Sequence, residues 1–132
     1  MIRPEVLFAE DVTTEAQRIA SIIENIINAY GGKEIVEGIQ SIHMKGKIEA
    51  FMLHDSGTYE VYFKRGKRLR VETKYERSSE VRILNGDRGY RGTNALPIEE
   101  VFGARYFAMV YQYKHMDMCG QVFTTHNGQI KL

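Results

Sequence analysis

Two short runs bring chemically capable side chains together. His115-Met116-Asp117-Met118-Cys119 collects imidazole, thioether and thiol donors that suit Cu(I), with His126 as a further donor. On a helix, Met116 falls on the apolar stripe and the histidine and cysteine sit loosely near a helix end. The run therefore reads as the close of a helix, and no metal site is expected. His54-Asp55-Ser56 holds the residue types of a hydrolytic triad, but in consecutive positions. A triad needs side chains converging from separate parts of the fold, so His54-Asp55-Ser56-Gly57 reads as a turn. There is no G-x-S-x-G elbow and no glycine-rich phosphate cradle. Glu72, Glu76 and Glu80 read as solvated strand-face or turn residues. The expectation is a protein that is not an enzyme and carries no cofactor; an enzyme would require His54, Asp55 or His115 to meet a partner from elsewhere in the fold.

The bulk properties agree with a binding or interaction role. A chain of 132 residues is expected to form a single domain, 1–132, with residues 1–12 a flexible tail. Hydrophobic residues make up 43% and charged residues 27%, which is ordinary for a globular protein. A formal net charge of +1 gives no global attraction to nucleic acid, and none is expected as a partner. One cysteine, Cys119, excludes an internal disulfide, and the apolar runs are too short for a membrane-spanning helix. Val6-Leu7-Phe8-Ala9 before Glu10-Asp11 resembles the end of a signal peptide, but its apolar part is too short to serve as one. Either the start lies inside a longer signal, or this is a plain tail.

The elements that must position any site follow from periodicity. Ile19, Ile22, Ile23, Ile26, Ile27 and Tyr30 have helical spacing, with a cap expected at Thr13 or Thr14 and closure at Gly31. A short helix is expected from Lys33 to about Gly38. From Gln40 the period becomes two, placing Ile42, Met44, Ile48, Ala50 and Met52 on one face, with Gly46 at a bend or bulge. Tyr59, Val61 and Phe63 continue that face on a second strand, and Leu69, Val71, Thr73 and Tyr75 on a third. Val81, Ile83 and Tyr90 are assigned to it on the two that follow. Pro97 is placed in the first turn of a helix over 97–116, whose face includes Phe102 and Met109. Asn127-Gly128 signals a terminal hairpin whose last strand is short.

The fold expected is therefore α+β: an incomplete, half-barrel-like curved antiparallel sheet covered by helices over 13–30 and 97–116. The inward residues either pack against the helices or line an apolar cavity suited to acyl chains. The cavity set is Met44, Ile48, Met52, Tyr59, Val61, Phe63 and Leu69, continued by Val71, Tyr75, Val81, Ile83, Tyr90, Phe102 and Met109. Arg65, Lys67 and Arg68 form the one local basic cluster, read either as a solvated hairpin or as a headgroup contact.

Several short motifs occur in a familiar order. These are Ala29-Tyr30-Gly31-Gly32-Lys33-Glu34, Ile39-Gln40-Ser41-Ile42 before Lys45-Gly46-Lys47-Ile48, Tyr62-Phe63-Lys64 before Lys67 to Glu72, and Arg82-Ile83-Leu84-Asn85-Gly86-Asp87-Arg88-Gly89-Tyr90. In that order the chain resembles the LolA/LolB-like superfamily of outer-membrane lipoprotein carriers, as a shortened member. The resemblance implies an unclosed barrel whose interior accepts lipid chains, a periplasmic or envelope location, and a lipid or lipoprotein partner. The apparent shortage of later strands adds an expected homodimer through sheet edges. The alternative is an interaction domain whose core is filled by its own side chains.

Overall fold

The structure, a computed structural model, describes the backbone of residues 4–117 and the side chains of residues 14–117. Met118, Cys119, His126 and the expected terminal hairpin lie outside the described residues, as does any pairing through them. The contacts divide the chain into two compact units, one containing the first two helices and the other running Ile39–Asp117.

In the first unit, α1 spans Pro4–Ala29 and α2 spans Lys33–Gly38. The helix begins at Pro4, not at Thr13, so residues 4–12 of the segment read as a flexible tail are helical. Proline suits a first turn, where its missing N–H leaves no bond unmade. The end of α1 is as expected. Gly31 takes φ +102°, Gly32 N–H donates to the Ile27 carbonyl at 2.9 Å, and Gly31 N–H donates to that of Asn28 at 3.0 Å. This is the paired closure that a left-handed glycine permits. Ile27 and Val36 are buried.

The second unit is an open six-stranded antiparallel sheet in the order β1 to β6, followed by a helix. The strands are β1 Ser41–Ala50, β2 Asp55–Lys64, β3 Arg68–Tyr75, β4 Ser79–Asn85, β5 Arg88–Thr93 and β6 Glu99–Val101; helix α3 spans Ala104–Met116. Each strand pairs with the next in sequence, so the meander needs only short connections. The fold class is α+β, as expected.

Three local departures from expectation have physical causes. The β1–β2 connection is a 3-10 turn at Phe51–Leu53 closed by left-handed His54, so Asp55, Ser56 and Gly57 belong to β2. Met52, assigned inward, sits at this tip and is 94% exposed. Gly46 marks no bulge, because β1 pairs without interruption from Ser41 opposite Lys64 to Ala50 opposite Asp55. Pro97 begins no helix; the chain continues into β6, where Val101 pairs with Gly89, and α3 starts after Gly103, which has a positive φ of +59° with ψ −132°. Phe102, assigned to the cavity, is 74% exposed in this connection.

The core lies between one sheet face and α3. Val61, Phe63, Leu69, Val71 and Leu84 are buried there with Met109 and Tyr113, and the rings of Phe63 and Tyr113 stack at 5.1 Å. Register decides which residues share that face, because directly paired residues point the same way. Leu69 pairs with Leu84, Val71 with Arg82 and Thr73 with Glu80. Val81, Ile83 and Tyr90 therefore lie on the opposite face, beside Glu72, Arg70 and Glu100. Assigning them inward is off by one residue, which inverts a whole strand.

Candidate ligand-binding cleft

Beyond the packed core, the same sheet face opens into a cleft of about 510 Å³ lined by β1 to β5, the β3–β4 and β5–β6 connections, and α3. One side is apolar or aromatic: Ile48 of β1, Tyr59 of β2, and Val71 and Tyr75 of β3. The other is charged and polar, with Glu80 and Arg82 from β4 and Arg91 and Thr93 from β5. Gln112 of α3 also lines it, donating Nε2–H to the Tyr59 hydroxyl at 3.5 Å. The Gln112 Oε1 is buried and has no hydrogen-bond partner among the described residues. Such an orphan is costly in an interior, and unpaired buried acceptors are scarce.

The charged side has an unusual register. Arg82 and Arg91 are directly opposite each other on β4 and β5, a like-charge pairing that repels. Glu80 holds them together. Arg91 donates from Nε at 2.9 Å and from Nη2 at 2.6 Å to Glu80 Oε2, and Arg82 Nε donates to Glu80 Oε1. Burial raises the Glu80 carboxyl, but the hydrogen bonds from Arg91 and Arg82 outweigh it and hold it below its ordinary value. A carboxylate whose folded pKa is depressed contributes stability above its ordinary pKa, lost as pH falls through the folded value. The Glu80 side-chain carboxyl should therefore titrate by carbon NMR with a midpoint lower than that of an unperturbed glutamate. Arg91→Gln should move that midpoint upward; an unchanged midpoint would mean the pair is not formed in solution.

The residues expected to form a cavity divide between different places. Ile48, Tyr59, Val71 and Tyr75 line the cleft. Val61, Phe63, Leu69 and Met109 are instead consumed in the packed core. Met44 is on the correct face but exposed near the sheet edge. Met52, Phe102, Val81, Ile83 and Tyr90 lie elsewhere, as described above.

The basic cluster is not at the mouth of this cleft. Arg65 Nε donates to Asp117 Oδ1 at 3.3 Å, at the end of α3, and Lys67 reaches Asp87 at 3.3 Å. Arg68 alternates with inward Leu69 and so faces the opposite side, where it lines an open groove of about 530 Å³ with Lys64 and Arg70. Arg65 and Lys67 thus serve separate local contacts, and Arg68 lies on the other face of the sheet.

Sequence reasoning missed Glu80, Arg82, Arg91 and Gln112. A signal was available: placing Leu84 inward instead of Ile83 would have brought Arg82 and Glu80 to the helix-covered face. The two runs singled out for chemistry resolve differently. Asp55 accepts from the backbone N–H groups of Glu76 and Arg77 at 3.1 and 3.3 Å, tethering the β3–β4 connection. Among the described residues, no group of three histidine, cysteine, aspartate or glutamate side chains is placed to hold a metal ion. Among them also, no helix is long and apolar enough to cross a membrane.

The fold and cleft define an α+β domain with a part-apolar, part-charged recess between an open antiparallel sheet and a helix. Comparison with known families, curated proteins and solved structures finds no match.

Proposed function

We propose that this domain binds, and carries within the cell envelope, a ligand with a hydrophobic chain, such as a lipid or a lipoprotein acyl group. The observation supporting this is the 510 Å³ cleft, whose Ile48, Tyr59, Val71 and Tyr75 wall adjoins the core without being filled by α3. Its volume lies within the range of small-molecule sites, about 300–1,000 Å³. Each chain methylene withdrawn from water contributes about 0.8 kcal/mol, so a tail of modest length supplies useful affinity without covalent chemistry. The envelope location and lipoprotein partner rest on the resemblance in motif order. A fatty-acid titration followed by methyl NMR tests the reading, with saturable shifts expected at Ile48 and Val71.

The competing role, an interaction domain with a self-filled core, is favoured by a different observation. Met109 and Tyr113 of α3 are buried against Phe63, Leu69 and Leu84 at one end of the sheet face. In that role a second copy would dock at a sheet edge. Among the described residues, β1 is the longer edge strand, and its Lys45 and Lys47 are charges of the kind that discourage edge pairing. The carrier reading is therefore preferred.

A further inference from the structure

We propose that the arginine side of the cleft is an oxyanion site, taking the carboxylate or phosphate of an amphiphilic ligand whose tail lies on the apolar side. This deepens the carrier reading and rests on it for the tail, but the anion site stands on its own observations.

The first observation is the clustering of charge. Arg82 and Arg91 line both the main cleft and a smaller recess of about 260 Å³, which they share with Arg105, Ala108 and Met109. Three guanidinium groups thus approach one region of the sheet face, where Glu80 is the one carboxylate lining the 510 Å³ cleft and Glu99 of β6 stands directly opposite Arg91. Arg105 has no carboxylate partner among the described residues.

The second observation is geometric. The direct cross-strand pairing of Arg82 and Arg91 is repulsive, while on its other side Arg91 is paired with Glu99 of β6. Arg91 spends Nε and one terminal nitrogen on a single Glu80 oxygen, while Arg82 uses Nε alone. Terminal N–H groups of both guanidiniums remain for a second anion. Guanidinium forks match the paired oxygens of carboxylate and phosphate, which makes them suited to such a head.

The third observation is the orphaned Gln112 Oε1 on the same cleft. It is an acceptor and cannot serve the anion itself. It would take a hydroxyl or amide hydrogen next to the head, as a glycerol or acyl-amide linkage provides. Glu80 then acts as the counter-ion that keeps the arginines apposed while the site is empty.

The test uses the full chain and reads the arginine Nε–Hε signals by nitrogen NMR during three titrations: inorganic phosphate, dodecanoate and dodecanol. Saturable shifts at Arg82 and Arg91 are expected with phosphate and dodecanoate but not with dodecanol. Dodecanoate should bind at least about tenfold more tightly than dodecanol, the usual scale for a hydrogen bond to a charged group. Dodecyl phosphate compared with dodecanoate then distinguishes a phosphate head from a carboxylate. Arg105→Gln, on an exposed residue that leaves the sheet intact, should weaken phosphate binding severalfold. Arg91→Gln should erase the preference for dodecanoate over dodecanol. If dodecanoate and dodecanol bind equally and phosphate moves neither arginine, the oxyanion site is refuted while the hydrophobic carrier survives. If phosphate saturates the arginines but no tailed ligand gains affinity over it, the anion site stands and the carrier reading falls.

Discussion

Gly57→Ala should cost about 3 kcal/mol or more of folding stability, the upper end for a substitution that a packed neighbour cannot accommodate. A methyl group at this position would stand 1.8 Å from the carbonyl oxygen of Lys74 and 2.8 Å from the Tyr75 Cα. Both are backbone atoms of β3, so no side-chain rotation relieves the clash. Gly57 is also the residue at which β2 pairs with Ile48 on one side and Tyr75 on the other, two residues that line the cleft. Separating β2 from β3 there would open the cleft wall as well as weaken the sheet. Gly46→Ala is the matched control, because nothing lies within 4 Å of its added methyl. It should change stability by no more than about 0.5 kcal/mol. Urea midpoints measure both; equal midpoints for the two variants would show that β2 and β3 do not approach as described.

The second large effect is at Leu84. It is buried to 2% exposure, pairs across strands with Leu69 and belongs to the cluster under Met109 and Tyr113. Truncation to alanine leaves a cavity in a closely packed site and should cost about 2–5 kcal/mol. Ile83→Ala and Val81→Ala, on the half-buried opposite face, should each cost about 1 kcal/mol or less. The order of the three values reports the register of β4 directly. A larger loss at Ile83 than at Leu84 would place the other face of this strand in the core.

That register also explains what the sequence reveals and what it conceals. The helix closure at Gly31 and the period-two runs of β1, β2 and β3 are local signals, carried by residues a few positions apart, and they are legible. In β4, Val81 and Ile83 alternate with Arg82, so any local rule for β-strands places the valine and isoleucine inward. The structure does the reverse, because pairing with β3 aligns Leu84 with buried Leu69 and leaves Arg82 opposite Val71. A strand with apolar residues on both faces cannot declare its inner face by pattern alone. The same inversion hid the charged half of the candidate site. Pro97 misled for a related reason: its fixed backbone suits either a helix start or the approach to a short edge strand, and the pairing of β6 with β5 decides between them. At Gly103, by contrast, a positive φ marks where α3 begins, a role glycine fills at little steric cost.

Whether the space beside the core receives a hydrophobic chain can be read by methyl NMR of the full chain during addition of a fatty acid below its micelle concentration. Saturable shifts are expected at Ile48 and Val71, reaching a plateau near one ligand per chain, with Leu53 at the exposed β1–β2 tip unchanged. Shifts confined to Leu53 and its neighbours, or rising without a plateau, would contradict it and mark the cleft as a surface feature of an interaction domain.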